Sequence, residues 1–224
     1  FSTTLIIGLG GVGSNIVEQI YRKFDASNPS EIDRRNVAFL CLDTDEADIK
    51  KRLDVMPDGS VIKTSSDLSC TVGGYIDRIK GKTTVLDWFD TKSSYLLSMS
   101  LNEGAGQVRM ASRLASMAAI DENKLKAIDN SINNLMTTDP DRHLGNNIKI
   151  HIVCSLAGGT GAGSFLQTAY YVKNAMREKN ATAPKISGYF LLADVLCNDS
   201  NIGFSDGQKE NVRVYEFLKE PLIR

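Results

Sequence analysis

The sequence has no apolar stretch near the roughly 18 consecutive residues that a membrane-spanning helix needs. Its first residues carry no basic segment of the kind that precedes the apolar part of a signal peptide. An excess of charge is also missing, because 26 basic residues are balanced by 27 acidic ones. We therefore expect neither a membrane nor a nucleic acid as a partner.

Closely spaced cysteines are absent as well, and no Cys-x-x-Cys pair occurs. The four cysteines are Cys41, Cys70, Cys154 and Cys197. Three of them lie in apolar runs, so buried free thiols in a reducing, cytoplasmic setting are the simplest interpretation. The two histidines, His143 and His151, belong to no Cys/His cluster and no Ser-His-Asp pattern, so we predict structural roles for both.

Four apolar, β-branched runs are typical of buried strands, and helical patterns lie between them. The runs cover residues 4–8, 37–43, 148–155 and 186–195. The helical patterns cover residues 13–24, 107–120, 121–136 and 163–179, and polar connectors cover residues 24–35 and 139–147. Strand followed by helix, repeated along 224 residues, predicts one α/β domain with a doubly wound, mainly parallel sheet and helices on both faces.

A first glycine-rich loop, GLGGVGSN at residues 8–15, follows a predicted strand and opens a helix. Glycine lets the backbone approach a phosphate, and a helix N-terminus offers free N–H groups and the positive end of a dipole. Its candidate binding residues are Gly10, Gly11, Val12, Ser14 and Asn15. The G-x-G-x-x-G spacing is shared with NAD- and FAD-binding domains, and the string also resembles the loop of ThiF/MoeB-type adenylyltransferases. This loop alone leaves the nucleotide class open.

A second glycine-rich loop, AGGTGAGS at residues 157–164, follows another predicted strand. Its candidate binding residues are Gly158, Gly159, Thr160, Gly161, Ala162 and Gly163, with the Thr160 and Ser164 hydroxyls as further donors. No Lys follows the last glycine, so the loop is not a Walker A motif. A dinucleotide domain needs one such loop, whereas two loops at the ends of neighbouring parallel strands can bind one polyphosphate between them.

The second loop resembles the tubulin/FtsZ signature G-G-G-T-G-[ST]-G and departs from it at Ala157 and Ala162. The first loop is similar, position by position, to the FtsZ loop G-V-G-G-G-G-G-N. The arrangement G-A-G-Q-x-R at residues 104–109 looks closest to bacterial tubulin-like proteins. The resemblance implies a nucleotide-binding domain for GTP or GDP with Mg²⁺.

Three further segments fall in the family's order. Asp43-Thr44-Asp45 resembles the N-T-D near the γ-phosphate and metal, which makes Asp45 the candidate metal ligand. Gly104-Ala105-Gly106 resembles the γ-phosphate-sensing loop, and Asp206 lies where the family has a ribose-binding acid. Alternatively, Asp43 and Asp45 simply cap a helix that starts near Glu46. Arg109 and Arg113 follow the G-A-G segment. Arg109 is a candidate phosphate ligand, and the alternative is that both arginines are solvated surface charges.

The resemblance also implies a nucleotide-switched protein that self-associates head to tail into filaments. In that family an acidic loop of the adjacent subunit completes hydrolysis, and we expect this loop beyond Arg224. We therefore assign no catalytic residue and expect little or no GTP hydrolysis by this chain alone. Two alternatives remain: an adenylyltransferase or NAD-dependent enzyme that uses only the first loop, and a non-catalytic scaffold with a degenerate pocket.

Overall fold

The computed structural model describes residues 3–65, 71–79, 88–100, 108–136, 148–179 and 185–192. In these residues, five parallel strands form one sheet in the order β3-β2-β1-β4-β5. The strands are β1 (Thr4–Leu9), β2 (Val37–Asp43), β3 (Val61–Lys63), β4 (Lys149–Ser155) and β5 (Lys185–Leu191). The chain runs outward from β1 to β3 and then returns to the other side of β1. A topological switch point therefore lies between β1 and β4.

Eight helices accompany the sheet in the described part of the chain. They are α1 (Gly10–Ala26), α2 (Glu31–Asn36), α3 (Glu46–Leu53), α4 (Val72–Ile79), α5 (Ser94–Ser98), α6 (Arg109–Asp121), α7 (Lys126–Met136) and α8 (Gly159–Glu178). None of these helices is both long and apolar enough to cross a membrane.

The core lies on both faces of the sheet, as alternation along β1 requires. Leu5, Ile7 and Leu9 are at most 1% exposed and pack with residues of α7 and α8. Ile6 points the opposite way and packs with α1, near the fully buried Val17. Helices therefore cover both faces, which confirms the predicted doubly wound α/β architecture.

The structure corrects the sequence prediction in three places. Residues 24–35 are not a plain connector, because α1 continues to Ala26 and α2 begins at Glu31, where Ser30 Oγ accepts from the Asp33 backbone N–H. Strand β3 was missed because it has only three residues. Strand β5 was predicted to be buried, but four of its seven residues are exposed, among them Tyr189 and Phe190.

Candidate functional site

Both glycine-rich segments lie at the carboxyl edge of the sheet, one after β1 and the other after the neighbouring β4. Neither is mainly a loop: α1 begins at Gly10 and α8 at Gly159, earlier than the predicted starts at residues 13 and 163. The glycines therefore form the first turns of two helices. We call these the first and second glycine turns, residues 10–13 and 158–163.

The two glycine turns touch each other directly. Gly10 has φ = +69°, a left-handed conformation that favours glycine. A Cβ atom on Gly10 would lie 3.2 Å from the Gly161 backbone nitrogen, and one on Gly161 would lie 3.0 Å from the Leu9 carbonyl oxygen. Only residues without side chains allow this approach. A Cβ atom on Gly158 would meet no atom within 4 Å, so the second turn opens into free space there.

Three helix N-termini at this edge lack the usual caps. Helices α1, α6 and α8 follow Leu9, Val108 and Gly158, with no side-chain cap and no acidic residue in the first turn. The side chains of Ser30, Asp45 and Ser93 cap α2, α3 and α5 instead. The first N–H groups of an uncapped helix have no intrahelical partner and form the positive end of its dipole. The three uncapped ends therefore give this edge the free N–H groups and positive dipole ends that favour an anion.

Helix α6 joins this edge through contacts with the second glycine turn. Ser112 Oγ donates to the Thr160 carbonyl oxygen at 3.1 Å, and a guanidinium nitrogen of Arg109 donates to the Leu156 carbonyl oxygen at 2.6 Å. A Cβ atom on Gly163 would lie 2.5 Å from the Arg109 carbonyl oxygen, so the two helices pack backbone against backbone.

The hydroxyl groups of the predicted site are mostly engaged within the protein. Thr160 Oγ1 lies 2.8 Å from Thr44 Oγ1, which joins the second glycine turn to the end of β2. Ser164 Oγ donates to the Thr160 carbonyl oxygen at 2.6 Å, so it is not the free donor that the sequence predicted. Ser14 is fully buried and its hydroxyl donates to the Gly8 carbonyl oxygen at 3.4 Å, whereas Asn15 is exposed.

The two acids at the end of β2, Asp43 and Asp45, have different environments. Asp45 Oδ1 accepts from the N–H groups of Ala47 (2.8 Å) and Asp48 (3.0 Å), which confirms the capping interpretation. Asp43 Oδ1 accepts from the next two backbone N–H groups, whereas its buried Oδ2 has no hydrogen-bond partner. Burial raises the pKa of Asp43 to about 6, and the nearby Asp48 charge adds to this effect. The carboxylate oxygen without a hydrogen-bond partner therefore belongs to Asp43, whereas the candidate metal ligand from the sequence was Asp45.

Arg109, the first of the two candidate arginines, lies next to the second glycine turn. Its Nε is buried without a hydrogen-bond partner, burial lowers its pKa, and no described carboxylate forms a salt bridge with it. Arg113 instead stacks on Trp88, with its guanidinium carbon 4.0 Å from the ring centroid. Arg113 is therefore held against an aromatic ring and is not a solvated surface charge.

Several sequence predictions lie outside the described residues: Gly104, Ala105, Gly106 and Asp206. Among the described residues, no group of three or more His, Cys, Asp and Glu side chains is arranged to hold a metal ion. Cys41 and Cys154 are buried free thiols, as predicted, and burial raises the pKa of each to about 12. His151 lies in β4 with Nδ1 3.1 Å from Tyr189 Oη, which agrees with a structural role.

Known structures resemble the chain at low sequence identity. CetZ1 from Haloferax volcanii, a GDP-bound monomer, is 16% identical with a TM-score of 0.49, and the match covers 96% of this chain and 47% of that one. CetZ from Methanosaeta thermophila strain DSM 6194 is 14% identical with a TM-score of 0.49, covering 99% and 54%. CetZ2 from Haloferax volcanii, a GTPγS-bound protofilament, is 14% identical with a TM-score of 0.45, covering 95% and 55%. The chain thus spans about half the length of these proteins.

No curated protein sequence matches the chain significantly. The family model described as "Tubulin like" matches residues 5–220, which is nearly the entire chain and includes both glycine turns. The chain therefore belongs to the tubulin-like family.

Proposed function

We propose that this chain is the nucleotide-binding domain of a tubulin-like protein and binds GTP or GDP across both glycine turns. The observation that carries the proposal is the direct contact between two uncapped, acid-free helix N-termini at the topological switch point. A polyphosphate placed there accepts hydrogen bonds from the backbone N–H groups of both turns. Arg109 adds a guanidinium that no described carboxylate neutralises.

The two acids at the end of β2 fit a magnesium ion bound together with the phosphates. Mg²⁺ takes carboxylate oxygens and keeps several of its waters, and Asp43 Oδ2 is a buried oxygen without a partner. This oxygen faces the first glycine turn, since it would lie 3.9 Å from a Cβ atom on Gly11. Asp43 and Asp45 would hold the ion or its waters, and the ion would neutralise phosphate charge.

The finer parts of the proposal follow from family membership. They are specificity for guanine, a switch between nucleotide states, and head-to-tail self-association of the parent protein. Ground-state binding by backbone N–H groups does not by itself accelerate hydrolysis, which also needs a group that orients or deprotonates a water molecule. We therefore propose that this chain binds nucleotide and hydrolyses it little by itself.

The sharpest test is Gly158→Val, because this substitution fills space without disturbing the fold. The φ of −81° at Gly158 is open to any residue, and no protein atom lies within 4 Å of the new Cβ. We expect GDP and GTP binding, measured by calorimetry, to be lost while the unfolding midpoint stays within a few degrees. Ser131→Val on α7 introduces the same valine side chain away from both turns and should bind like the unmodified chain.

The same titration separates the alternative functions. If Gly158→Val binds normally and Gly11→Val does not, only the first glycine turn is used, and the single-loop enzyme interpretation replaces this one. If the unmodified chain binds no nucleotide, the site is a degenerate scaffold. Competition between ATP and GTP, together with mass spectrometry of any nucleotide that co-purifies, tests the choice of base.

A further inference from the structure

A buried arginine on α3 contacts the first glycine turn, and nothing in the function described so far uses it. The Arg52 side chain is 7% exposed. Its Nη1 donates to the Asp48 carbonyl oxygen at 2.6 Å, and its Nη2 donates to the Gly11 carbonyl oxygen at 3.1 Å. Its Nε lies 3.5 Å from Glu18 Oε2 on α1. One guanidinium therefore joins α3 to both the start and the middle of α1.

This arrangement is a costly way to hold two helices together. Burying an ion pair removes both charges from water, and apolar residues of similar size stabilise a fold at least as well. Glu18 is also shared, because its Oε1 accepts from Arg22 at 2.9 Å, so one carboxylate faces two guanidinium groups. A cation near a helix N-terminus is unfavourable for the empty helix because it opposes the dipole. That penalty becomes a gain when a polyanion lies in front of α1.

We propose that Arg52 is a positioning residue for nucleotide binding, which it promotes through the Gly11 peptide without touching the ligand itself. Its hydrogen bond to the Gly11 carbonyl oxygen fixes the orientation of the first glycine turn. The N–H groups of that turn then point outward toward a phosphate before it arrives. This inference rests on the proposed function, because it takes the anion at the first glycine turn to be a phosphate of the bound nucleotide.

The same contacts connect the first glycine turn to the segment that contains Asp43 and Asp45. Arg52 holds the first turn of α3 through the Asp48 carbonyl oxygen, and Asp45 caps that same turn. A Cβ atom on Gly11 would lie 2.8 Å from Asp48 Oδ2, so the two turns are already in contact. Arg52 therefore keeps the phosphate-binding turn and the Asp43–Asp45 segment in one fixed arrangement.

The test compares Arg52→Met and Arg52→Lys with the control Glu18→Gln. Glu18→Gln weakens the same buried ion pair but leaves the Gly11 hydrogen bond in place. We expect Arg52→Met to raise the dissociation constant for GDP about tenfold, the loss that follows from removing one hydrogen bond with a charged donor. Arg52→Lys keeps the charge and one donor, so its dissociation constant for GDP should lie between those of Arg52→Met and the unmodified chain. Glu18→Gln should lower the unfolding midpoint but keep the affinity of the folded chain.

Amide hydrogen exchange of the nucleotide-free chain gives a second measurement that does not depend on a ligand. Exchange at residues 14–17, whose N–H groups are the first in α1 with intrahelical acceptors, should accelerate in both Arg52 variants but not in Glu18→Gln. If Arg52→Met and Glu18→Gln change affinity and exchange equally, Arg52 is only a structural ion-pair partner and the proposal is wrong. If the unmodified chain binds no nucleotide, the proposed function fails, and the exchange comparison still decides whether Arg52 positions the turn.

Discussion

Replacing Asp43 with Asn should stabilise the nucleotide-free chain at neutral pH. The buried carboxyl has its pKa raised from 3.8 to about 6, mainly by desolvation. This rise corresponds to about 3 kcal/mol of unfavourable free energy in the ionised folded state, at about 1.4 kcal/mol for each tenfold change in proton binding. Asn removes the charge and keeps an Oδ1 acceptor for the backbone N–H groups of Thr44 and Asp45. We expect a gain of about 1–3 kcal/mol at pH 7.5.

The direction of the pH dependence follows from the raised pKa. Below about pH 4 the carboxyl is protonated in both the folded and the unfolded chain, so it contributes no penalty. The penalty grows as the pH rises from about 4 to about 6 and is complete above that value. The advantage of Asp43→Asn in urea unfolding without nucleotide or Mg²⁺ should therefore shrink toward zero at pH 4. The control is Asp58→Asn at an exposed position, which should change the free energy of unfolding by less than about 0.5 kcal/mol. A variant less stable than the unmodified chain at pH 7.5, or an advantage that persists at pH 4, would refute the reasoning.

Two further predictions concern the second glycine turn and turnover. Thr44→Val and Thr160→Val should each lower the free energy of unfolding by about 1–3 kcal/mol, because each leaves the other hydroxyl without its partner. The double variant should lose less free energy of unfolding than the two single variants lose together. Strictly additive losses in a double-mutant cycle would show that the contact between the hydroxyl groups contributes nothing. Mg²⁺ should tighten GTP binding while phosphate release stays near background at every concentration of the chain. A rate that rises steeply with concentration would show that two copies of this chain form a complete hydrolytic site.

The sequence predicted the architecture well where the apolar runs were long. Strands β1, β2 and β4 were located within one residue at either end, because buried parallel strands leave continuous apolar runs. The exposed side chains of β5 were not predictable, since burial depends on what covers a strand and not on the strand itself. Helices α4 and α5 and strand β3 are too short for a clear periodicity.

The site was predictable in its positions but not in its contacts. The glycine spacing located both turns, yet interpreting the glycine segments as loops placed the helix starts too late. Here tertiary contact overrides propensity, because Gly10 and Gly161 must carry no side chain where the turns meet. Arg52 was missed because it follows Lys50 and Lys51, and three consecutive basic residues are typical of a solvent-exposed helix face. Only its position three residues after the buried Ile49 places it on the inner face of α3.

The distribution of helix caps carries the most information about function. A chain that uses Ser30, Asp45 and Ser93 to cap three helices can evidently supply caps where stability alone is at issue. At the sheet edge it places Leu9, Val108 and Gly158 instead, with no acid in any of the three first turns. The missing side-chain caps at Leu9 and Val108 each forgo about 1 kcal/mol of stability, and glycine at Gly158 forgoes roughly a few tenths of a kcal/mol. A local rule that fails three times at one edge, and is obeyed at α2, α3 and α5, is the pattern expected when the free N–H groups are reserved for an anionic ligand. Asp43 Oδ2, which is buried without a hydrogen-bond partner, fits the same explanation. A cation bound together with the anionic ligand would supply the partner that this oxygen lacks.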